Sequence, residues 1–422
     1  MSPATTAEQP TTGRGFGLLW FGEGVSLLGG ATTGVLLPLL AVVELHAGPR
    51  WVGLLAAAAW LPWLLVGLPA GAWVDRLPAR SVMIAADLAS ALVLGTVPVA
   101  WWLGALSLPQ LLVVALLSGV GSVFFHTAYT TLVPQVVPDE GLETANGRLV
   151  GTDSCAQIAG PGLAGLLLQV MSAASGVVVD VLSFLVSAAC LWRVRPEPRP
   201  SPARTHEPMR TQIGVGLRFV AHDRLLRWLT GLGGLSNLGL TGYQTLLVLY
   251  LVRDLHVAPA MVGSVLALGA AGGVLGAALG ARLSRRWGSG RVNAASLLLS
   301  GPAALLLPLA APGPRVALVV VALFVVGAGV VAGNVVRGSW RQRYVPAALL
   351  GRVIVSMQVV NYGTMPLGSL LAGGLAATVG TRAAVGTMAA VHLCACLGVL
   401  LSPFRTLRAL PLTPGPAHRA CP

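Results

Sequence analysis

Lysine is absent from this 422-residue chain, and all 27 of its basic residues are arginine. Charge of either sign is scarce: only 10% of residues are charged, against about 25% in a soluble domain. So little charge cannot dress a water-facing surface of this size, which excludes an ordinary soluble protein. Acidic residues number 14, and all but Asp254 lie at or before Asp223. The five cysteines make no disulfide framework: Cys155, Cys190, Cys394 and Cys396 sit in apolar runs and Cys421 in the tail. There is no G-x-x-x-x-G-K-[ST] phosphate loop, so ATP is not expected to drive the protein directly. No His, Cys or carboxylate set has metal-ligand spacing, and the thiols of Cys394 and Cys396 point to different faces of a helix. With no catalytic constellation either, the expectation is a non-enzyme without metal or cofactor.

What the sequence does have is long apolar runs. Hydrophobic residues make up 55%, and the runs fall near 16–45, 51–74, 81–103, 109–133, 144–170, 174–194, 224–252, 258–281, 292–311, 315–336, 350–378 and 382–402. Each is long enough for a membrane-spanning helix of about 20 residues, which predicts an all-α polytopic membrane protein with twelve spans. The first run is too long for the apolar core of a signal peptide and reads as a retained span. The one stretch rich in Pro and Arg, 195–222, divides a six-helix bundle over 16–194 from a second over 223–404. Residues 1–15 and 405–422 are the flanking segments.

A net charge of +13 with a pI near 11 would by itself suggest a nucleic-acid partner. The arginines instead form short clusters between apolar runs, and nucleic acid drops out. With the N-terminus in the cytoplasm, the outer loops hold only Arg50, Arg253, Arg315 and Arg382, and 27 − 4 = 23 arginines lie at the cytoplasmic side. The positive-inside rule therefore predicts both termini inside.

The halves repeat each other at an offset near 210. Val52-Gly53 is echoed by Val262-Gly263, GAWVDRLPAR from Gly71 by GARLSRRWGSGR from Gly280, Val133-Pro134 by Val345-Pro346, and Gly147-Arg148 by Gly351-Arg352. A duplicated six-helix unit is a common way to build a transporter with a site between its halves.

These features resemble the major facilitator superfamily over nearly the whole chain. Its loop between the second and third helices, G-x-x-x-D-R-x-G-R-R, is matched by Gly71, Asp75, Arg76 and Arg80, while Pro78 and Ala79 depart from it. The resemblance implies that Asp75 meets the N-terminus of helix 11 and latches a cytoplasmic gate. Ser284 stands at the equivalent place in the second half. AQIAGPGLAG, from Ala156, is similar to the antiporter signature g-x-x-x-G-P-x-x-G-G through Gly160, Pro161 and Gly165, which implies export in exchange for protons. VPDEGLETANGR (137–148), RQRYVPAALLGRV (341–353) and DVLSFLVSAA from Asp180 resemble exporters related to enterobactin and macrolide efflux proteins.

Charged groups at membrane depth ask for a reason. Glu23 lies about eight residues into the first span, where the related exporters tend to carry Gln, and Asp87 and Asp180 lie inside the third and sixth. These three are the candidates for the coupling proton, with helix-to-helix hydrogen bonding or an ion pair as the structural alternative. Asn237, Tyr243, Gln244, Asn334, Asn361 and Tyr362 are candidates for lining a substrate cavity, and His126 for a gate or packing role. Most tryptophans, including Trp51, Trp101 and Trp102, read as interface anchors.

The expectation is a monomeric, proton-driven exporter of small, partly apolar natural products or drugs in a bacterial plasma membrane, with the lipid bilayer as its surroundings. A transporter of a siderophore or another defined metabolite on the same fold is the alternative. A non-transporting membrane scaffold or membrane enzyme is the rival from another class.

Overall fold

The computed structural model describes residues 14–74, 76–138, 141–195 and 209–411, and among them there are helices and turns but no strand. In a bilayer this is the economical outcome, because a helix satisfies its own backbone polar groups. The first half contains α1 (Arg14–Leu39), α2 (Pro49–Leu65), α3 (Gly67–Val74), α4 (Ala79–Trp102), α5 (Leu108–Val136), α6 (Leu142–Val170) and α7 (Ala173–Arg193). Then come α8 (Met209–His222), α9 (Arg224–Leu249), α10 (Pro259–Trp287), α11 (Ser289–Ala304), α12 (Ala317–Tyr344), α13 (Ala347–Val379) and α14 (Thr381–Leu397). Each of the twelve apolar runs is occupied by one helix, except that α2 and α3 share the second. The chain breaks between them at Val66, after Pro62 and before Gly67.

Eight helices among the described residues are long and apolar enough to cross a membrane, fewer than the twelve runs. The shortfall has physical causes. The second run is broken, α6 carries Glu143, Arg148 and Asp153, α11 has 16 residues, and α13 carries Arg352, Gln358 and Asn361.

The segment expected to be plain linker contains α8, which packs on α9 and α13. Gly216 lets α8 cross α13 closely against the Arg352 carbonyl and the Ser356 hydroxyl. Asp223 then caps α9 by accepting from the Leu226 amide at 2.8 Å, and its other oxygen accepts from the Tyr344 hydroxyl at 2.7 Å. The expected C-terminal tail is likewise packed as far as Pro411. The Leu410 amide donates to Ser289 Oγ at 2.9 Å, and Trp340 Nε1 donates to the Pro411 carbonyl at 2.7 Å.

The internal repeat is visible in the backbone. α1 ends in a π-helical turn over Leu40–Glu44 and α9 in one over Tyr250–Asp254. Each is followed by a histidine at positive φ, His46 at 51° and His256 at 53°, a conformation uncommon outside glycine. The two turns close with matching hydrogen bonds, Leu45 to Leu40 and Ala47 to Ala41, then Leu255 to Tyr250 and Val257 to Leu251. All positions are offset by 210.

Among the described residues, three hydrophobic cores show how the halves meet. At the end opposite the linker, one core joins residues of both halves, from Leu36, Val52 and Ala164 to Leu247, Val262 and Val385. At the linker end each half has its own: Phe16, Met83, Leu132 and Leu191 in the first, and Leu226, Trp340, Val353 and Phe404 in the second. The halves are thus sealed at one end and parted at the other.

Candidate translocation site

The seal is made where helices of opposite halves cross at glycines. α2 crosses α13 at Gly53 and Gly373, and α6 crosses α10 at Gly165 and Gly263. A Cβ on Gly53 would stand 2.9 Å from the Gly373 Cα, and one on Gly263 would stand 2.9 Å from the Gly165 Cα. Without side chains the backbones approach as in small-residue membrane packing. The antiporter-like segment therefore lies in this seam. Gly160 packs on the backbone of Ala31 and Thr32 in α1, and Gly165 packs on the Ala260 carbonyl of α10. A crevice of about 620 Å³ beside it is apolar apart from Ser264, too poor in polar groups to orient a ligand.

Further toward the linker end the cross-half contacts become aromatic. Tyr362 of α13 lies between Trp60 and Trp63 of α2, with ring centroids 6.2 and 5.5 Å away. Trp63 also meets His126 of α5 edge-on at 5.5 Å, and His126 stacks on Tyr129 at 6.4 Å. These rings are partly exposed and form the roof of the cleft. Trp60 and Trp63 differ from the expected interface anchors: their position along the run was legible, but not that their face meets the other half.

The three proton candidates lie in the first half, on α1, α4 and α7, with α7 packed against both others. Asp87 and Asp180 are 1% and 2% exposed. Asp87 faces the Ser187 hydroxyl of α7 without a well-formed hydrogen bond, and the buried Oε2 of Glu23 has no hydrogen-bond partner. Asp180 accepts from Ser183 Oγ at 2.9 Å and faces α1 at Gly29, where a Cβ would come within 2.5 Å of its Oδ1. The charged groups near Glu23 are Asp87 and Asp153, both acidic. Among the described residues no arginine forms an ion pair with any of the three.

The expected cavity residues divide. Asn237 Nδ2 donates to Asn361 Oδ1 at 3.4 Å, joining α9 to α13, and Gln244 and Asn334 are exposed. Tyr243 does not line a cavity. It is fully buried in the shared core, with its ring edge on His392 at 6.3 Å, because its face of α9 turns to α14. Asn334 instead accepts from Arg337 Nη2 at 2.7 Å, while Arg337 Nη1 donates to Asn293 at 3.1 Å. The second half thus holds an inward-turned arginine in α12 that carries no carboxylate partner among the described residues.

Sequence reasoning also missed His392. It is wholly buried between Ser236 of α9 at 3.0 Å and Ser300 of α11 at 2.9 Å. Both ring nitrogens are satisfied by hydroxyls that can donate or accept.

Of the gating residues, Gly71 is half-buried in α3, and Arg76 is exposed just beyond it. Asp75 lies outside the described residues. Arg80 donates to the carbonyls of Leu191 and Trp192 at the end of α7, so here it caps a helix of its own half.

Two pseudo-symmetric helical bundles, sealed at one end around a cleft with buried carboxylates, define the class: a membrane transporter of small molecules, not an enzyme. The Major Facilitator Superfamily model matches residues 19–363 and 229–419, and the chain belongs to that family. Multidrug efflux pump Tap of Mycolicibacterium fortuitum is 31% identical over 369 residues, covering 84% of this chain and 87% of that protein. Macrolide efflux protein A of Streptococcus pyogenes is 24% identical over 180 residues, 43% of this chain and 44% of the other. The crystal structure of a mutant of the nucleoside transporter NupG superposes with a TM-score of 0.76 at 11% identity, covering 92% of this chain and 99% of that one.

Proposed function

We propose that this transporter is a proton-coupled exporter of small, partly apolar natural products or drugs, acting as a monomer in a bacterial plasma membrane. Both termini lie in the cytoplasm in this reading, which the positive-inside rule supports because it then puts 23 arginines on that side and four on the other, so the cleft opens to the cytoplasm. The proton gradient is the energy source and no cofactor takes part.

One observation carries the reading: Glu23, Asp87 and Asp180 lie at membrane depth with no cation paired to them among the described residues. A lasting negative charge there is costly, and a carboxylate that exchanges its proton as the bundles rock avoids that cost. Substrate enters beneath the Trp60–Trp63–Tyr362 roof, whose rings supply a broad apolar surface. Protonation favours one orientation of the bundles and substrate the other, so the two compete for states rather than for contact alone. One charge moved through 100 mV supplies about 2.3 kcal/mol, enough for a roughly fiftyfold gradient. The names of the Tap and macrolide efflux relatives support the same direction and class of cargo.

The test is uphill export from cells expressing Glu23→Gln, Asp87→Asn or Asp180→Asn. At least one replacement should abolish accumulation against a gradient while leaving downhill flux. Uphill export unchanged in all three would refute proton coupling through these groups.

A further inference from the structure

The two halves treat charge differently at the linker end. In the sequence of the first half the signs mix: Arg76 and Arg80 follow Asp75 closely in the chain, and Arg148 follows Asp139, Glu140 and Glu143. From Arg224 onward the chain has one acidic residue, Asp254, and it sits at the opposite end. Topology alone asks for arginines on one side of the membrane. It does not ask for them to lack acidic neighbours in one half only.

Within this basic face one patch is built by folding. α10 ends in Arg282, Arg285, Arg286 and Trp287, and Gly288, at φ +94°, turns the chain into α11. The segment after α14 folds back over this turn: the Gly290 amide donates to the Arg408 carbonyl at 3.2 Å, and the Leu410–Ser289 bond fixes the strap. Arg408 thereby packs against Gly288. Arg282, Arg285, Arg286, Arg291, Arg405 and Arg408 are all exposed, and none forms an ion pair among the described residues. Trp287 is 51% exposed and Leu401 78%. An amphipathic ring next to Arg286 in the chain and a bare aliphatic side chain shortly before Arg405 suit the level where lipid headgroups meet acyl chains.

We infer that the α10–α11 turn and the C-terminal strap form a binding site for anionic phospholipid headgroups, supplied by the membrane in which the protein sits. The arginine forks suit a phosphodiester, and the flanking Trp287 and Leu401 suit the attached acyl chains. This is independent of the cargo and of proton coupling.

Native mass spectrometry of the delipidated full-length protein, titrated with phosphatidylglycerol or phosphatidylcholine, tests it. Phosphatidylglycerol should bind at least tenfold more tightly. Arg285→Gln/Arg286→Gln/Arg408→Gln should weaken it by about fivefold per arginine, roughly a hundredfold in all. The corresponding triple change to Lys, which keeps the charge but loses the fork, should keep only part of the preference, and Arg76→Gln in the first half should keep all of it. Equal binding of the two lipids, or an undiminished preference in the Gln triple, would overturn the site. So would soluble glycerol phosphate binding as tightly as the lipid, which would make it a site for free phosphate compounds. If the triple variant does not fold, Arg408→Gln alone, with a fivefold loss expected, decides in the same way.

Discussion

Gly53 of α2 and Gly373 of α13 meet backbone to backbone across the two halves, and a Cβ on either would stand 2.9 Å from the Cα of the other. The repeat supplies a second crossing of the same kind at Gly165 and Gly263. Sealing one end of the molecule therefore depends on the absence of side chains at four positions.

Gly373→Val should oppose that seal specifically. Overpacking costs about 1–3 kcal/mol, which acts on the state sealed at that end and shifts the balance about 5- to 150-fold toward the oppositely open state. Distances between spin labels on the two halves should lengthen at the Gly53 end and shorten at the linker end, with folding retained. Unchanged distances would show that the crossing does not set the conformation.

Trp63 touches both His126 and Tyr362, so it links α2, α5 and α13 at the roof of the cleft. Trp63→Ala should weaken binding of an aromatic cargo about tenfold, the effect of losing about 1.4 kcal/mol. Trp63→Phe should restore part of it, because a ring contact contributes about 0.5–1.5 kcal/mol beyond its buried area. Equilibrium binding to the purified protein measures both.

His392 is the buried histidine of the second half among the described residues, and its cradle of two serine hydroxyls has no charged partner among them. It is a structural group in this account. His392→Ala should cost about 1–3 kcal/mol by leaving the hydroxyls of Ser236 and Ser300 without their partner, seen as a lower melting temperature. The pH profile of transport should not move. A displaced profile would bring the second half into the proton chemistry.

Much of this architecture was legible in the sequence, and the limit is a physical one. Span positions follow from hydropathy, and the Val52-Gly53 and Val262-Gly263 echo marked the repeat. That echo did not say that both glycines are crossing points, because the partners Gly373 and Gly165 lie far along the chain. The burial of Asp87 and Asp180 was legible because an acid inside an apolar run is conspicuous whatever it touches. The burial of Tyr243 in the shared core and the cross-half contacts of Trp60 and Trp63 are not legible in the sequence for one reason: a helix hydrophobic all round gives no sign of which face meets lipid, cleft or neighbour. His392 escaped because its partners are 156 and 92 residues away. The C-terminal strap escaped because a segment after the last apolar run reads as tail until its bonds to Ser289 and Trp340 are seen.

The central claim is that substrate leaves in exchange for protons taken up through the first half. The most direct measurement uses proteoliposomes with a pH-sensitive dye sealed inside and no membrane potential. Adding substrate to one side should drive a matching proton movement in the opposite direction in the wild type. The same substrate gradient should move no protons through the Glu23→Gln/Asp87→Asn/Asp180→Asn protein. Substrate flux in the wild type with no proton movement, or proton movement undiminished in the triple variant, would contradict the account.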